Sequence, residues 1–244
     1  MLGTFPVLPY HVNKIVILRD RQTDLKAGRQ AGRQGHIQTV GLLVTVLFFC
    51  VQGDLKQFLL ATRSDNGRRG ARVPALTLSQ KMGMGQQVAA GMEALAAQGF
   101  VHGDLAARNV LLTSRMQLKV ARPALCGDVY ASEYYPLHQR LVPLRWLAPE
   151  AVLEEDAGSS AGDVWAYGVF LWEVMQLADL PYRLLSDEEV LRALQHGQAA
   201  LELSELYSPT VMALLQRCTA HQPSQRPSFT EIYTILSLAS SDVV

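Results

Sequence analysis

The 244-residue sequence has no net formal charge, few cysteines and no signal of a cleaved leader. Because 22 Lys and Arg balance 22 Asp and Glu, neither a nucleic-acid nor an acidic-membrane partner is expected. Cys50, Cys126 and Cys218 are too few and too far apart for a metal site or a disulfide framework, which favours a reducing compartment. The N-terminus has no basic region leading into an apolar run, so no signal peptide is predicted.

Long apolar runs are also scarce, although 49% of the residues are apolar and predict a real core. The longest uncharged run, Ile37–Val51, is shorter than the roughly 20 residues of a membrane span and contains Gln38, Thr39 and Thr45. We interpret it as a buried strand. An alternative is that residues before Gly53 are translated intron or a mis-joined gene model, because Leu-Phe-Phe-Cys-Val-Gln can be encoded by a pyrimidine-rich tract ending in CAG.

The stretch at 101–112 reads VHGDLAARNVLL and carries the strongest chemical pattern. The spacing from Asp104 to Asn109 resembles the catalytic loop of protein kinases, and Ala-Ala-Arg at 106–108 resembles its tyrosine-kinase form. The resemblance implies that Asp104 is the base for a substrate hydroxyl and Asn109 a magnesium ligand, with Arg108 in the catalytic set and His102 structural. Residue 103 is Gly where the family has Arg.

The nucleotide-binding parts of a kinase are missing from this sequence. No glycines before residue 53 are spaced as G-x-G-x-x-G, and neither Lys14 nor Lys26 lies in a V-A-I-K-like strand. Where kinases have the metal-holding Asp-Phe-Gly, this chain has Arg122, Pro123 and Ala124.

The substitution at Arg122 changes the sign of the charge at the metal position. A unit charge pair at 4 Å contributes about 4 kcal/mol at an effective dielectric near 20, and here that attraction becomes repulsion. No bound metal is therefore expected, and ATP and magnesium enter only if the chain retains residual activity. Asp104 and Asn109 then become hydrogen-bonding residues that shape the loop, with Arg122 available to pair with Asp104.

Three tyrosines follow this region in the pattern Tyr130-x-x-x-Tyr134-Tyr135. The pattern resembles the autophosphorylation segment of insulin-receptor-like kinases. It predicts phosphorylation by another kinase, which would create a docking site for signalling proteins. The alternative is that these aromatic rings only pack locally.

The rest of the sequence from Gly53 onward predicts a helical scaffold. Short and long amphipathic helices are expected from Gly53 and over 78–95, a hairpin over 110–120, and a helix buried on every side over 163–175. Capping signals start three later helices, at Ser186, Ser208 and Ser228. By resemblance to kinases, Asp163 holds the catalytic-loop backbone, and Arg226 pairs with Glu150 of the Ala-Pro-Glu motif.

From Gly53 to Leu238 the chain resembles the large lobe of receptor tyrosine kinases. The strings GDLKQFL, FVHGDLAARN, DVYASEYY, VPLRWLAPEAVLE and RPSFTEI are similar to the inactive protein tyrosine kinase seven, or colon carcinoma kinase, family of pseudokinases. The implied fold is α+β and protein-kinase-like, mainly the α-helical large lobe, with the small lobe absent or vestigial. Three regions are expected: an atypical, partly disordered segment over 1–52, the lobe over 53–238 and a tail over 239–244.

This resemblance also implies a role. The family suggests a catalytically deficient co-receptor that acts as a scaffold in Wnt and planar cell polarity signalling. The chain would lie on the cytoplasmic side, and at the plasma membrane if it is part of a longer receptor. A tyrosine kinase with residual activity and a non-functional truncated product remain alternatives.

Overall fold

The computed structural model describes residues 53–63, 75–121, 128–153, 158–204 and 207–241. The predictions for 1–52 and for the motif at Arg122–Ala124 lie outside these residues. In chain order, the described helices and strands are α1 Leu55–Ala61, α2 Leu78–Ala96, β1 Val110–Leu112, β2 Leu118–Val120, β3 Tyr135–Leu137, β4 Arg140–Val142, α3 Pro149–Leu153, α4 Ser160–Met175, α5 Asp187–Gln195, α6 Pro209–Cys218 and α7 Phe229–Ser241.

Helix α1 and the β1–β2 hairpin form one edge of the structure. Asp54 caps α1 by accepting a hydrogen bond from the Gln57 amide at 2.9 Å, as its position before an amphipathic run predicts. The strands are antiparallel, with Val110 opposite Val120. The Leu112 amide donates to the Gly53 carbonyl at 3.1 Å, so the start of α1 is fixed to the hairpin that follows the catalytic loop.

Helix α2 packs against α4 and α7 and delivers the chain to the catalytic loop. It begins with a capping box between Thr77 and Gln80, and its buried methionines, Met82, Met84 and Met92, fill the core. Gly85 allows a close approach, since a Cβ there would lie 2.8 Å from Leu171 Cδ1. The predicted long helix is confirmed, and of its three glycines Gly85 makes the closest approach to a neighbouring side chain.

Helix α4 is the centre of the fold, and every residue from Asp163 to Met175 is buried. Its N-terminus is capped by Ser159, which accepts from the Gly162 amide at 2.9 Å. One hydrophobic core lies between α2, α4, α6 and α7. A second lies on the other side of α4, against the 3₁₀ turn Leu144–Trp146, α3 and α5. The apolar sequence of α4 is explained because both of its sides pack against other elements.

The three predicted caps at the C-terminal end are confirmed. Ser186 and Glu189 form a capping box before α5, the Ser208 hydroxyl accepts from the Val211 amide, and Ser228 pairs with Glu231 before α7. Helix α7 continues to Ser241, and Ala239 belongs to the core. The lobe therefore extends beyond the predicted end at Leu238.

The described part of the chain is mainly α-helical, with two small antiparallel sheets, β1–β2 and β3–β4. This architecture confirms the predicted kinase-like fold dominated by the large lobe. Within the described ranges, none of the helices combines the length and the apolar character needed to cross a bilayer.

Candidate functional site: a catalytic loop filled by the chain's own side chains

The catalytic-loop backbone, between α2 and β1, is held by α4. The Asp163 carboxylate accepts hydrogen bonds from the amides of His102 at 2.7 Å and Gly103 at 2.9 Å. Burial raises the pKa of Asp163, while these two hydrogen bonds act to lower it. Gly103 has φ +77°, a left-handed conformation that favours glycine. The loop therefore keeps its support from Asp163 with glycine in place of the family's Arg.

The His102 ring joins the two ends of the loop. Its Nδ1 accepts from the Asp104 amide at 3.2 Å, so Nε2 is the protonated nitrogen that faces the Ala121 carbonyl at 2.9 Å. Ala121 directly precedes Arg122. His102 thus lies between the residue in the base position and the last described residue before the altered metal motif.

Asp104 is 5% exposed, and both of its carboxylate oxygens have partners from the same chain. Oδ1 pairs with the Arg108 guanidinium, and Oδ2 accepts a hydrogen bond from the Tyr134 hydroxyl at 2.6 Å. The side-chain Nδ2 of Asn109 donates to the backbone carbonyl of Asp104 at 2.7 Å, and Asn109 is 1% exposed. The hydroxyl facing the base position therefore comes from the chain itself.

Arg108 is the hub of this cluster. Its guanidinium carbon lies 4.2 Å from the centre of the Trp146 ring and 4.9 Å from that of Tyr134, and Nη1 donates to Glu133 at 3.0 Å. Burial acts to lower the pKa of Arg108, but Asp104 and Tyr134 raise it above its ordinary value. The cation is therefore fixed in its charged form.

A second cation approaches Glu133 from α1. The Lys56 ammonium lies 2.6 Å from Glu133 Oε1, so Lys56 and Arg108 hold the two oxygens of one carboxylate. All three side chains are at least about nine-tenths buried, with 9% exposure for Lys56, 11% for Glu133 and none for Arg108. A buried carboxylate between two cations is well compensated, because each charge has an opposite partner.

Tyr130 anchors the same segment to the start of α1. Its hydroxyl donates to Asp54 Oδ2 at 2.8 Å and accepts from Nε2 of the Gln57 side chain at 3.0 Å. Burial, followed by the neighbouring Asp54 and Glu133, raises the pKa of Tyr130. Burial and the Asp104 carboxylate likewise raise the pKa of Tyr134 to about 12. Both phenols thus keep their protons and act as donors at neutral pH.

Glu173 lies beneath the loop and is fully buried. Its Oε2 accepts from the Ala107 amide at 3.0 Å and the Trp146 indole at 2.8 Å, while Oε1 has no hydrogen-bond partner among the described residues. Burial raises the pKa of Glu173, opposed by Lys56 and Arg108. The motifs did not point to Glu173. The signal that could have found it is a carboxylate in a helix whose neighbouring residues are apolar.

A cavity of about 510 Å³ opens beside Asp104 and Tyr134. Its far wall comes from the β3–β4 hairpin and the loop after it, including Leu137, Val142 and Leu147. Tyr135 begins β3, is half-buried and packs against the second core. Of the three predicted tyrosines, Tyr134 therefore faces the catalytic loop, Tyr130 contacts the start of α1, and Tyr135 belongs to the hairpin.

The remaining predicted scaffold pair is also present. The Arg226 guanidinium makes a bidentate ion pair with Glu150, at 2.5 and 2.7 Å, and lies 5.2 Å from the centre of the Trp165 ring. Arg122, Pro123 and Ala124 are outside the described residues, so their expected effect on the metal position stays a prediction. Among the described residues, Arg108 and Tyr134 contact the Asp104 carboxylate, and the suggested pairing with Arg122 stays a prediction.

Comparison with known proteins agrees with this geometry. The profile described as protein tyrosine and serine/threonine kinase matches residues 34–236. The chain belongs to this family. It is also similar to inactive tyrosine-protein kinase 7 of Mus musculus, with 42% identity, and of Homo sapiens, with 41% identity, each over 92% of the chain. A more distant relative, tyrosine-protein kinase-like otk of Drosophila persimilis, is 37% identical over 91% of the chain.

The chain spans 22% of the length of each of these relatives. The kinase profile begins at residue 34, upstream of the predicted boundary at Gly53. The match includes the run at Ile37–Val51, which lies outside the described residues, so its interpretation as a buried strand stays a prediction. The chain is thus a kinase-family domain whose similarity extends to relatives that are named as inactive.

Proposed function

We propose that this chain is a pseudokinase domain that serves as an interaction scaffold in Wnt and planar cell polarity co-receptor signalling. In this proposal it is part of a longer receptor and lies on the cytoplasmic side of the plasma membrane. Its partners are signalling proteins, including a separate tyrosine kinase that acts on the tyrosines at 130, 134 and 135. Neither nucleic acid nor a metal ion is a ligand.

One observation carries the catalytically deficient part of the proposal: both oxygens of Asp104 are engaged by Arg108 and Tyr134. A general base must lie within hydrogen-bond reach of the proton that it removes. A substrate hydroxyl would have to displace Tyr134 before it could reach Asp104. The similarity to relatives named as inactive supports the same conclusion.

The residues present also do not fit magnesium-bound ATP. Asn109, in the first magnesium-ligand position, is almost fully buried and carries no charge to balance a divalent ion. The sequence places the permanently positive Arg122 where kinases have the second metal ligand. A guanidinium cannot ligate a cation, so the second ligand is missing and no catalytic step is assigned to ATP in this chain.

A phosphate-transfer assay tests the catalytic part of the proposal. We expect the purified chain, with ATP and Mg²⁺ or Mn²⁺, to transfer no phosphate to a tyrosine peptide above the level of its Asp104→Asn variant. Turnover that Asp104→Asn abolishes would support the alternative of a residually active tyrosine kinase. That alternative has one observation in its favour, namely that Asp163 and His102 still support the loop.

The scaffold part is tested in cells that depend on the full-length receptor for planar polarity. Removing residues 53–238 should impair polarity and Wnt output, because the interaction surface is lost. Asp104→Asn should leave both outputs at the wild-type level, because no catalysis is lost. Equal loss in both variants would contradict the scaffold role and favour catalysis.

A melting curve of the whole chain addresses the third alternative, a non-functional truncated product. A folded scaffold should unfold in a single cooperative transition, because its two cores share α4. A broad, non-cooperative baseline with strong binding of a hydrophobic dye would indicate a product without a packed core.

A further inference from the structure

One buried donor in α4 has no acceptor. Trp165 is 2% exposed, and its indole Nε1 has no hydrogen-bond partner among the described residues. The other two tryptophans differ in this respect. Trp146 Nε1 donates to the Glu173 carboxylate at 2.8 Å, and Trp172 Nε1 donates to the Glu202 carbonyl at 2.7 Å. A buried N–H without an acceptor costs stability, and an acceptor that enters from outside the chain would remove this cost.

A cavity of about 160 Å³ lies against Trp165. It forms where α4 meets the start of α3, the segment after α5 and the segment after α6. Its lining residues are Pro149, Trp165, Gly197, Ala199, Thr219 and His221. None of these residues lines the cavity beside Asp104, so the two spaces are separate. The volume is far larger than the roughly 10–15 Å³ that one water molecule needs.

The segment after α6 gives this cavity an acceptor and an opening. The Thr219 hydroxyl donates its proton to the Leu215 carbonyl at 2.9 Å, so it offers a ligand only its acceptor lone pairs. The exposed His221 ring stands against Gly197, where a Cβ would lie 3.2 Å from the ring Cε1. The cavity therefore opens at the protein surface, where the side chain of another protein can enter.

The charged groups beside Trp165 are already paired. The Arg226 guanidinium carbon lies 5.2 Å from the centre of the Trp165 ring, and this guanidinium makes its bidentate ion pair with Glu150. A charged ligand would lose its water and gain no unpaired counter-charge from either residue. A neutral ligand with both an acceptor and a donor fits this environment better.

We propose that this cavity binds the side-chain carboxamide of an Asn or Gln residue from a partner protein. The carboxamide oxygen accepts from Trp165 Nε1, and the carboxamide nitrogen donates to Thr219 Oγ1. A carboxamide is neutral and carries its acceptor and donors on neighbouring atoms. The small cavity admits the end of a side chain but not a continuous backbone. This site goes beyond the proposed scaffold role and does not depend on whether Asp104 is catalytically active.

The test is a nuclear magnetic resonance titration of the full chain, labelled with ¹⁵N-tryptophan and followed through its three indole N–H signals. The ligands are tripeptides blocked at both ends, with alanine on either side of a central Gln, Glu or Leu. The Gln peptide should shift the Trp165 signal in a saturable way and slow its proton exchange, because the indole gains an acceptor. The signals of Trp146 and Trp172 should stay unchanged, since both donors are already bonded. Trp165→Phe assigns the signal by removing it.

Two variants locate the response in the cavity. Ala199→Leu should fill the space and abolish the response, while unchanged Trp146 and Trp172 signals show that the variant is folded. Thr219→Val keeps the shape of the side chain and removes the acceptor, so the Gln peptide should bind about 2- to 10-fold more weakly. If Ala199→Leu does not fold, the three peptides on the wild-type chain decide the question.

The proposal is overturned if the Gln peptide leaves the Trp165 signal unchanged up to its solubility limit, because the cavity would then hold only water. Equal binding of the Glu peptide would show recognition of an acceptor without the carboxamide donors, and equal binding of the Leu peptide would show apolar packing. Either result contradicts the proposal, as does an undiminished response in Ala199→Leu. These outcomes leave the proposed function standing, because the phosphate-transfer assay tests a different site.

Discussion

The ion pair between Glu150 and Arg226 tests how strongly a buried charge pair stabilises the helical lobe. Arg226 has a side chain that is 1% exposed, and it also donates to the carbonyls of Ala161, Ala220 and His221. Glu150→Gln keeps the shape of the side chain but leaves this guanidinium buried without a counter-charge. Breaking such a pair costs about 3–5 kcal/mol.

The structure places the expected cost near the lower end of that range. Glu150 is 20% exposed, so water can reach the site and partly solvate the guanidinium. We expect a loss of about 3 kcal/mol in the free energy of unfolding. For a domain of this size, this corresponds to a melting temperature lower by roughly 6–12 °C. Urea unfolding followed by circular dichroism and a thermal scan measure the two quantities.

The matched control is the exposed pair between Arg217 and Glu231, at 3.2 Å and with both side chains about half exposed. Arg217→Gln should cost only about 0.2–1 kcal/mol, because water solvates both charges. The double variant of Glu150→Gln and Arg226→Gln should show a coupling energy of about 0.5–3 kcal/mol. If Glu150→Gln costs no more than Arg217→Gln, the reasoning from burial is refuted.

Three further outcomes follow from single contacts. Gly85→Ala should lower the free energy of unfolding in urea by about 1–3 kcal/mol, since its Cβ would meet Leu171 at 2.8 Å. Gly83→Ala is the control: its Cβ would meet nothing within 4 Å, so it should raise that free energy by up to about 1 kcal/mol. Equal effects of the two substitutions would refute the packing argument. Ser228→Ala should destabilise by about 1 kcal/mol through loss of the α7 capping box. The pKa of Glu173 in the folded state is raised from the ordinary 4.5, so the folded chain keeps this proton at a pH where the unfolded chain has lost it. The wild type should therefore lose stability relative to Glu173→Gln as the pH rises from 4.5 through the folded-state pKa. A stability difference that does not change with pH would contradict this.

The local structure could be predicted well because its signals are local. Ser186, Ser208 and Ser228 each cap the helix that they were expected to start, since a side-chain oxygen needs only the next three residues to find its partner. The buried helix α4 was equally clear, because a run that is apolar on every side must pack on every side. Catalytic-loop spacing identified Asp104 and Asn109 without any tertiary information.

The partners of the site residues were harder to predict. The sequence did not indicate that Arg108 and Tyr134 occupy the oxygens of Asp104. The pairing that it suggested, with Arg122, lies outside the described residues. Lys56, Glu133 and Glu173 were not recognised as site residues at all. Lys56 and Glu133 are 77 residues apart, and their pairing depends on how the 128–135 segment lies against α1.

The sequence by itself determined that this chain carries a kinase scaffold with an altered metal motif, because each motif and each helix cap involves residues only a few positions apart. Only the tertiary structure decided that Tyr134 faces Asp104 and that two buried cations share Glu133. Such contacts depend on the distances between elements far apart in the chain, and the packing around α4 sets those distances.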